Sequence, residues 1–111
     1  MSNYSFTWIV QRITAAVLVP LTFWFVYNCI LFSKIDYNQL ISFFSSYLNG
    51  ILFLIMMVTM LIHTKLGCET IVEDYISSLL LKKITLFTLR IVIYGAMIIT
   101  IVSLLSILIK A

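Results

Sequence analysis

Three long apolar runs dominate the chain, and short polar stretches divide them. The runs cover about residues 13–33, 46–66 and 84–109. None shows the strict alternation of a half-buried strand. Each has the roughly 20 residues that an α-helix needs to cross a hydrocarbon layer about 30 Å thick. The pattern predicts an all-α integral membrane protein with three transmembrane helices, forming one domain over residues 1–111. Pro20 lies inside the first run, where a membrane helix tolerates it at the cost of freeing the Ala16 carbonyl and allowing a mild kink. Residues 1–12 read as a short polar-aromatic lead, with Trp8 suited to the headgroup level. Ser33 to Tyr47 reads as a first loop in which Phe43 and Phe44 dip back toward the membrane. Residues 67–83 read as a second, interfacial loop. Within it Ile71, Val72, Ile76, Leu79 and Leu80 recur at helical spacing, as an amphipathic surface segment would. Asn49-Gly50 weakens the start of the second run, and Gly95 offers a place for close helix approach in the third.

Composition supports a lipid environment. Of 111 residues, 63% are hydrophobic and 10% charged, against about a quarter charged in an ordinary soluble domain. The net charge of +3 does not indicate nucleic acid, because the basic residues are scattered and form no basic-aromatic patch. They read better as topology signals. Arg12, Lys65, Lys82, Lys83 and Arg90 fall at one membrane face, and Lys34 and Lys110 at the other. Arg90 can snorkel toward the lysine pair. The positive-inside rule then places the amino terminus and the 67–83 loop on the cytoplasmic or matrix side, with the carboxyl terminus outside. Cys29 and Cys68 have no spacing that suggests a disulfide framework or a zinc site, and Cys29 reads as a small packed hydrophobe. No cleavable signal peptide or transit sequence is apparent before the first run. The expected location is a bacterial inner membrane or, for an organelle-encoded or processed chain, the mitochondrial inner membrane.

The chemistry gathers between His63 and Tyr75, H-T-K-L-G-C-E-T-I-V-E-D-Y. The only histidine stands at the end of an uncharged run, and three of the four carboxylates, Glu69, Glu73 and Asp74, follow it. An ionisable group at the lip of a membrane helix is costly without a partner. If the helix continues past His63, then Gly67, Thr70 and Asp74 lie on its stripe at about 100° per residue. Gly67 would leave a flat gap beside the imidazole. Asp74 and Tyr75 would lie roughly 16–18 Å further along, near the headgroups. One imidazole cannot build a multi-ligand metal site. A haem iron needs only one or two axial ligands, and the second could come from another chain. Arg12, at the same face, could pair with a haem propionate or serve simply as a topology charge. Likewise, His63 could be an interfacial polar residue and Tyr75 a belt aromatic. Trp24, Tyr27 and Asn28 read as helix packing and interface residues. No nucleophile–base pair or phosphate loop occurs. The lack of a carboxylate in mid-span disfavours a proton-coupled transporter.

Two motifs carry a resemblance. One is W-x-x-Q-R-x-T-A-x-x-L-x-P at Trp8, Gln11, Arg12, Thr14, Ala15, Leu18 and Pro20. The other is H-x-x-x-G-x-x-x-I-x-E-D-Y at His63, Gly67, Ile71, Glu73, Asp74 and Tyr75. With the three-span layout they resemble the small membrane-anchor subunit of succinate dehydrogenase (respiratory complex II) over nearly the whole chain. The resemblance implies half of a two-chain helical bundle that shares haem b with a sister membrane anchor, with His63 as one axial ligand. It implies that Tyr75 donates a hydrogen bond to a ubiquinone carbonyl, and that Asp74 helps hold an arginine of the sister anchor. It further implies docking of a flavoprotein subunit, which carries FAD, and of an iron–sulfur subunit, which carries the clusters. The complex as a whole would be the enzyme, acting in the tricarboxylic acid cycle and respiratory chain. Lys65, two residues beyond His63, and the short amino terminus depart from the family pattern. The competing readings are a fumarate reductase-type anchor, built from nearly the same parts, and a cofactor-free structural component of a membrane complex.

Overall fold

The computed structural model describes the backbone of residues 2–110 and the side chains of residues 5–109. Lys110, used above as an outer-face charge, and the two chain ends have side chains outside that range. Four helices and no strand occur among the described residues: α1 (Ser2–Phe32), α2 (Tyr37–Ser45), α3 (Tyr47–Tyr75) and α4 (Leu79–Lys110). The long helices α1, α3 and α4 are each apolar and long enough to span a membrane. This matches the all-α, three-span expectation.

Helix α3 is the middle element. It packs on α1 along one side and α4 along another, and α2 sits against α3 and α4. The body measures 50 × 25 × 24 Å. Few apolar side chains are buried within the chain: Met56, Val72, Ile93 and Leu104 are the buried ones among the described residues. Large apolar residues such as Phe23, Ile30, Ile98, Ile99 and Val102 face outward. Such a surface is stable where the surroundings are lipid or another apolar chain.

The helix ends differ from the sequence expectation at several places. The 1–12 lead is the first part of α1, which runs unbroken through Pro20. The first loop contains a capped helix. Asp36 accepts from the Gln39 amide at 2.9 Å, and the Gln39 side chain accepts from the Asp36 amide at 3.1 Å. This reciprocal capping box satisfies two amides and starts α2. Phe43 and Phe44 turn inward and join Trp24, Phe32 and Phe53 in an aromatic cluster, with centroid separations of 4.9–6.1 Å.

The 67–83 loop is mostly helix. α3 continues to Tyr75, only residues 76–78 are non-helical, and Ser78 accepts from the Leu81 amide at 3.3 Å at the start of α4. No proline interrupts this stretch, and one glycine costs a helix only about 1 kcal/mol. The 29 residues of α3 span roughly 44 Å at 1.5 Å per residue, well beyond a hydrocarbon core about 30 Å thick. Its last turns therefore project past the apolar layer. The apolar positions expected to form one surface segment are split between the two helices: Val72 is buried, whereas Leu79 and Leu80 are exposed.

Within this chain the close-approach glycine is Gly50, and Gly95 faces open space. A β-carbon on Gly50 would lie 2.9 Å from the Phe44 carbonyl oxygen and 3.0 Å from Leu108 Cδ2, while one on Gly95 would meet nothing within 4 Å. Cys29 is exposed on α1 rather than packed.

Candidate functional site

The site forms where the first half of α1 crosses the second half of α3. A cleft of about 570 Å³ opens there, lined from α1 by Trp8, Gln11 and Arg12 and from α3 by His63, Gly67 and Asp74, among others. On α3 the stripe predicted from helical spacing is realised, since His63, Gly67, Thr70 and Asp74 all line this cleft. On α1, Trp8, Gln11, Arg12 and Ala15 do the same at spacings of three and four.

His63 is anchored through one ring nitrogen. Its Nδ1 lies 2.9 Å from Thr14 Oγ1. Thr14 is 7% exposed, and its hydroxyl donates back to the Val10 carbonyl at 2.8 Å, with the Gln11 carbonyl at 3.1 Å. The Gln11 amide, oriented to satisfy its neighbours, places its nitrogen 3.1 Å from His63 Nδ1 and 3.2 Å from the His63 carbonyl. Its oxygen accepts from the Gly67 amide at 3.3 Å. Among the described residues no hydrogen-bond partner meets Nε2. A β-carbon on Gly67 would meet only the Gln11 side-chain amide, at an ordinary 3.5 Å. Nothing within this chain therefore requires a glycine there.

The charged residues divide. Arg12 stacks on Trp8, with its guanidinium 5.2 Å from the ring centroid, and forms no ion pair among the described residues. Asp74 and Glu73 both line the cleft. Glu69 does not join them. It faces α4, where Arg90 Nε donates to its Oε2 at 3.0 Å and Lys65 Nζ lies 3.4 Å away. Arg90 is thus bound to Glu69 rather than extended toward Lys82 and Lys83. Lys65 also lies over the Tyr94 ring at 5.8 Å. Tyr75 ends α3 outside the cleft and is 82% exposed. The structure thus brings together His63, Gly67, Asp74 and Arg12, and leaves Tyr75 apart. Gln11 and Thr14, which the sequence marks only as motif positions, turn out to hold the imidazole. The signal for them is two polar side chains on α1 at the membrane depth of the sole histidine.

Among the described residues no three His, Cys, Asp or Glu side chains cluster as they would around a metal ion. What the cleft offers is one imidazole nitrogen without a hydrogen-bond partner among the described residues, a guanidinium without an ion pair among them, and the carboxylates of Glu73 and Asp74.

The profile of the succinate dehydrogenase/fumarate reductase transmembrane subunit family matches residues 3–105. A protein of Rickettsia prowazekii named succinate dehydrogenase hydrophobic membrane anchor subunit is 32% identical over 96 residues, which is 86% of this chain and 74% of that protein. Proteins of the same name from Rickettsia bellii and Rickettsia typhi are 39% and 33% identical over 70 residues, 63% of this chain. The matched stretch spans only a little over half, 56%, of each of those two relatives. Profile, relatives, three apolar spans and both motifs agree: the chain belongs to the succinate dehydrogenase/fumarate reductase transmembrane subunit family.

Proposed function

We propose that this chain is the small membrane-anchor subunit of succinate dehydrogenase. In this reading it docks the flavin and iron–sulfur subunits at the membrane, supplies one axial ligand to a haem b shared with the sister membrane anchor, and forms part of a ubiquinone-reduction site. The observation that carries it is the arrangement of His63 on the cleft wall of α3, held from α1 through Nδ1, with no hydrogen-bond partner on Nε2 among the described residues. A single imidazole is a poor basis for a zinc or other multi-ligand site and a sufficient one for a haem iron.

The residues present fit such a group. His63 Nε2 would be the ligating atom, Gly67 adds no side chain to the same cleft wall, and Arg12, free of any carboxylate among the described residues, would pair with a propionate. Bound there, haem b supplies a one-electron redox centre close to the quinone site. Reduction of a quinone to a quinol takes two electrons and two protons, so its carbonyl oxygens need donors that strengthen as negative charge develops. Tyr75 supplies a neutral phenol hydroxyl for one of them, with its ring suited to the lipid boundary. Its exposure is compatible with a pocket whose remaining wall comes from the sister anchor and the iron–sulfur subunit. Asp74, acceptor-only when ionised, holds a cation of the sister anchor in place.

The test is an absorption spectrum of the purified complex. A low-spin b-type signal is expected, and His63→Ala should abolish or displace it. A spectrum unchanged in position and intensity in His63→Ala would remove His63 from the haem.

A further inference from the structure

Toward the end of the molecule away from His63, α2, α3 and α4 form a groove with an apolar part and a polar part. The apolar part is a slot of about 310 Å³ between α3 and α4. Phe53 and Met57 of α3 and Ile99, Thr100 and Ser103 of α4 line it. No residue of α1 does, so the slot is separate from the His63 cleft. Ile107 of α4 lines both this slot and a hollow of about 250 Å³, whose walls include Tyr37, Asn38, Ser45 and Ser106. Among the described residues no charged side chain lines either part. We infer that the groove holds one zwitterionic phospholipid, with an acyl chain in the slot and the headgroup in the hollow. This needs the three membrane spans but not the haem, so it stands or falls independently of His63.

Depth, size and polarity each support this occupant. Phe53 and Met57 precede His63 by about 15 and 9 Å along α3, which puts the slot within the apolar span. The hollow lies beside α2, where the chain turns between two spans. A slot of this size does not admit a helix about 10–12 Å across. A slim hydrocarbon chain enters it without burying a polar group of its own. The one threonine there needs no partner, since Thr100 donates to the Ala96 carbonyl at 2.8 Å. The hollow is the reverse. The hydroxyls of Tyr37, Ser45 and Ser106 and the amide of Asn38 have no hydrogen-bond partner among the described residues. Together they offer more donors than the two carbonyls of a quinone accept, and a phosphodiester has oxygens for all of them. With no cation among them, they give an anionic headgroup no compensating charge, which favours a zwitterionic one.

The test is lipid retention by the protein purified in mild detergent with the chains that accompany it, read by native mass spectrometry. Wild type should keep one phospholipid per copy that Ser103→Phe, which fills the slot, does not keep. After delipidation, wild type should rebind phosphatidylethanolamine severalfold more tightly than phosphatidylglycerol, and Ser103→Phe should rebind neither at this site. If Ser103→Phe fails to assemble, Asn38→Leu combined with Ser106→Ala changes only exposed residues at the polar end. That double variant should weaken phosphatidylethanolamine rebinding severalfold.

Four outcomes would overturn the proposal. In the first, wild type and Ser103→Phe retain the same lipids. In the second, the mass lost from Ser103→Phe is that of a quinone, which would make the groove a quinone site. In the third, phosphatidylglycerol rebinds as tightly as phosphatidylethanolamine, which would remove the zwitterionic headgroup. In the fourth, wild type keeps no phospholipid and Ser103→Phe releases an accompanying membrane chain, which would give the slot to a side chain of that partner. Where only the double variant assembles, rebinding equal to wild type overturns the proposal in the same way.

Discussion

Tyr75 and Asp74 are neighbours in sequence, but their side chains point apart. On an α-helix Tyr75 lies about 120° around from His63 and Asp74 only about 20°. Asp74 accordingly lines the cleft with His63, and Tyr75 projects away from it. A quinone bound by Tyr75 would therefore contact this chain at the end of α3, outside the cleft that His63 lines. Tyr75→Phe tests that role, because it keeps the ring and removes only the hydroxyl. We expect succinate–quinone activity to fall severalfold or more. Succinate oxidation with an artificial acceptor that takes electrons upstream should stay nearly unchanged. If both activities survive, the quinone donor lies in another chain of the complex. The same rotation explains Glu69. It sits about 120° from His63 in the opposite sense, which directs it to Arg90 on α4. Linear proximity groups it with Glu73 and Asp74, and the helical angle separates it from them.

Between elements, the helices meet at few points, and glycine marks one of them. Gly50 lies where the end of α2, the start of α3 and the last turns of α4 converge. A methyl group there would press on a backbone oxygen at 2.9 Å, which only a helix shift can relieve. Gly50→Ala should destabilise by about 1–3 kcal/mol, the usual cost of overpacking. Gly95→Ala, facing open space within the chain, should be neutral or stabilise by up to about 1 kcal/mol. Thermal unfolding of the detergent-solubilised complex, followed by circular dichroism, checks both. A destabilised Gly95→Ala would indicate that a partner helix packs against that face. The Asp36–Gln39 box is a local signal that the surrounding polar residues mask. The pattern D-x-x-Q before I-S-F-F is a helix-start signature, yet its neighbours have the composition of a loop. At the other turn, helical periodicity through 71–80 is plain in the sequence. The break at 76–78 is not, because Ser77-Ser78 is a weak signal beside the apolar residues on either side.

Across the whole molecule, the contacts gather Arg12, Lys65, Lys82 and Arg90 at the end that holds His63. Lys82 Nζ donates to the Glu73 carbonyl at 3.4 Å, and Arg90 reaches Glu69. We expect that end to face the cytoplasm or matrix, by the excess of positive charge. With Cys29 and Cys68 first replaced, Ser78→Cys, exposed between α3 and α4, should react with an impermeant thiol reagent from that side only. Labelling from the outer side would reverse the topology. The sparse internal core also matters here, because three helices with so much outward apolar surface leave ample area for a second membrane chain. The isolated chain should bind haem poorly, since it supplies one axial ligand, and co-expression with the sister anchor should restore binding. Titrating haem into each preparation and following the b-type spectrum would check this.

The membrane environment, the number of spans and the identity of the ligand candidate were all legible in the linear chain. Each follows from local quantities: the length of an uncharged run, its hydropathy, and the presence of one histidine at a run's end. The α3 stripe of His63, Gly67 and Asp74 was legible too, since helical periodicity is a property of one segment. The packed helices alone settled which residues of α1 meet that stripe, that Glu69 belongs to α4's side, and that Gly50 rather than Gly95 is the tight crossing. These depend on how three nearly uniform apolar helices are rotated and shifted against one another. In such helices lipid-facing and partner-facing residues have the same composition, so the hydrophobic pattern carries little information about the rotation. A few polar contacts and one glycine crossing fix it instead, and those pairings appear only when the helices are side by side.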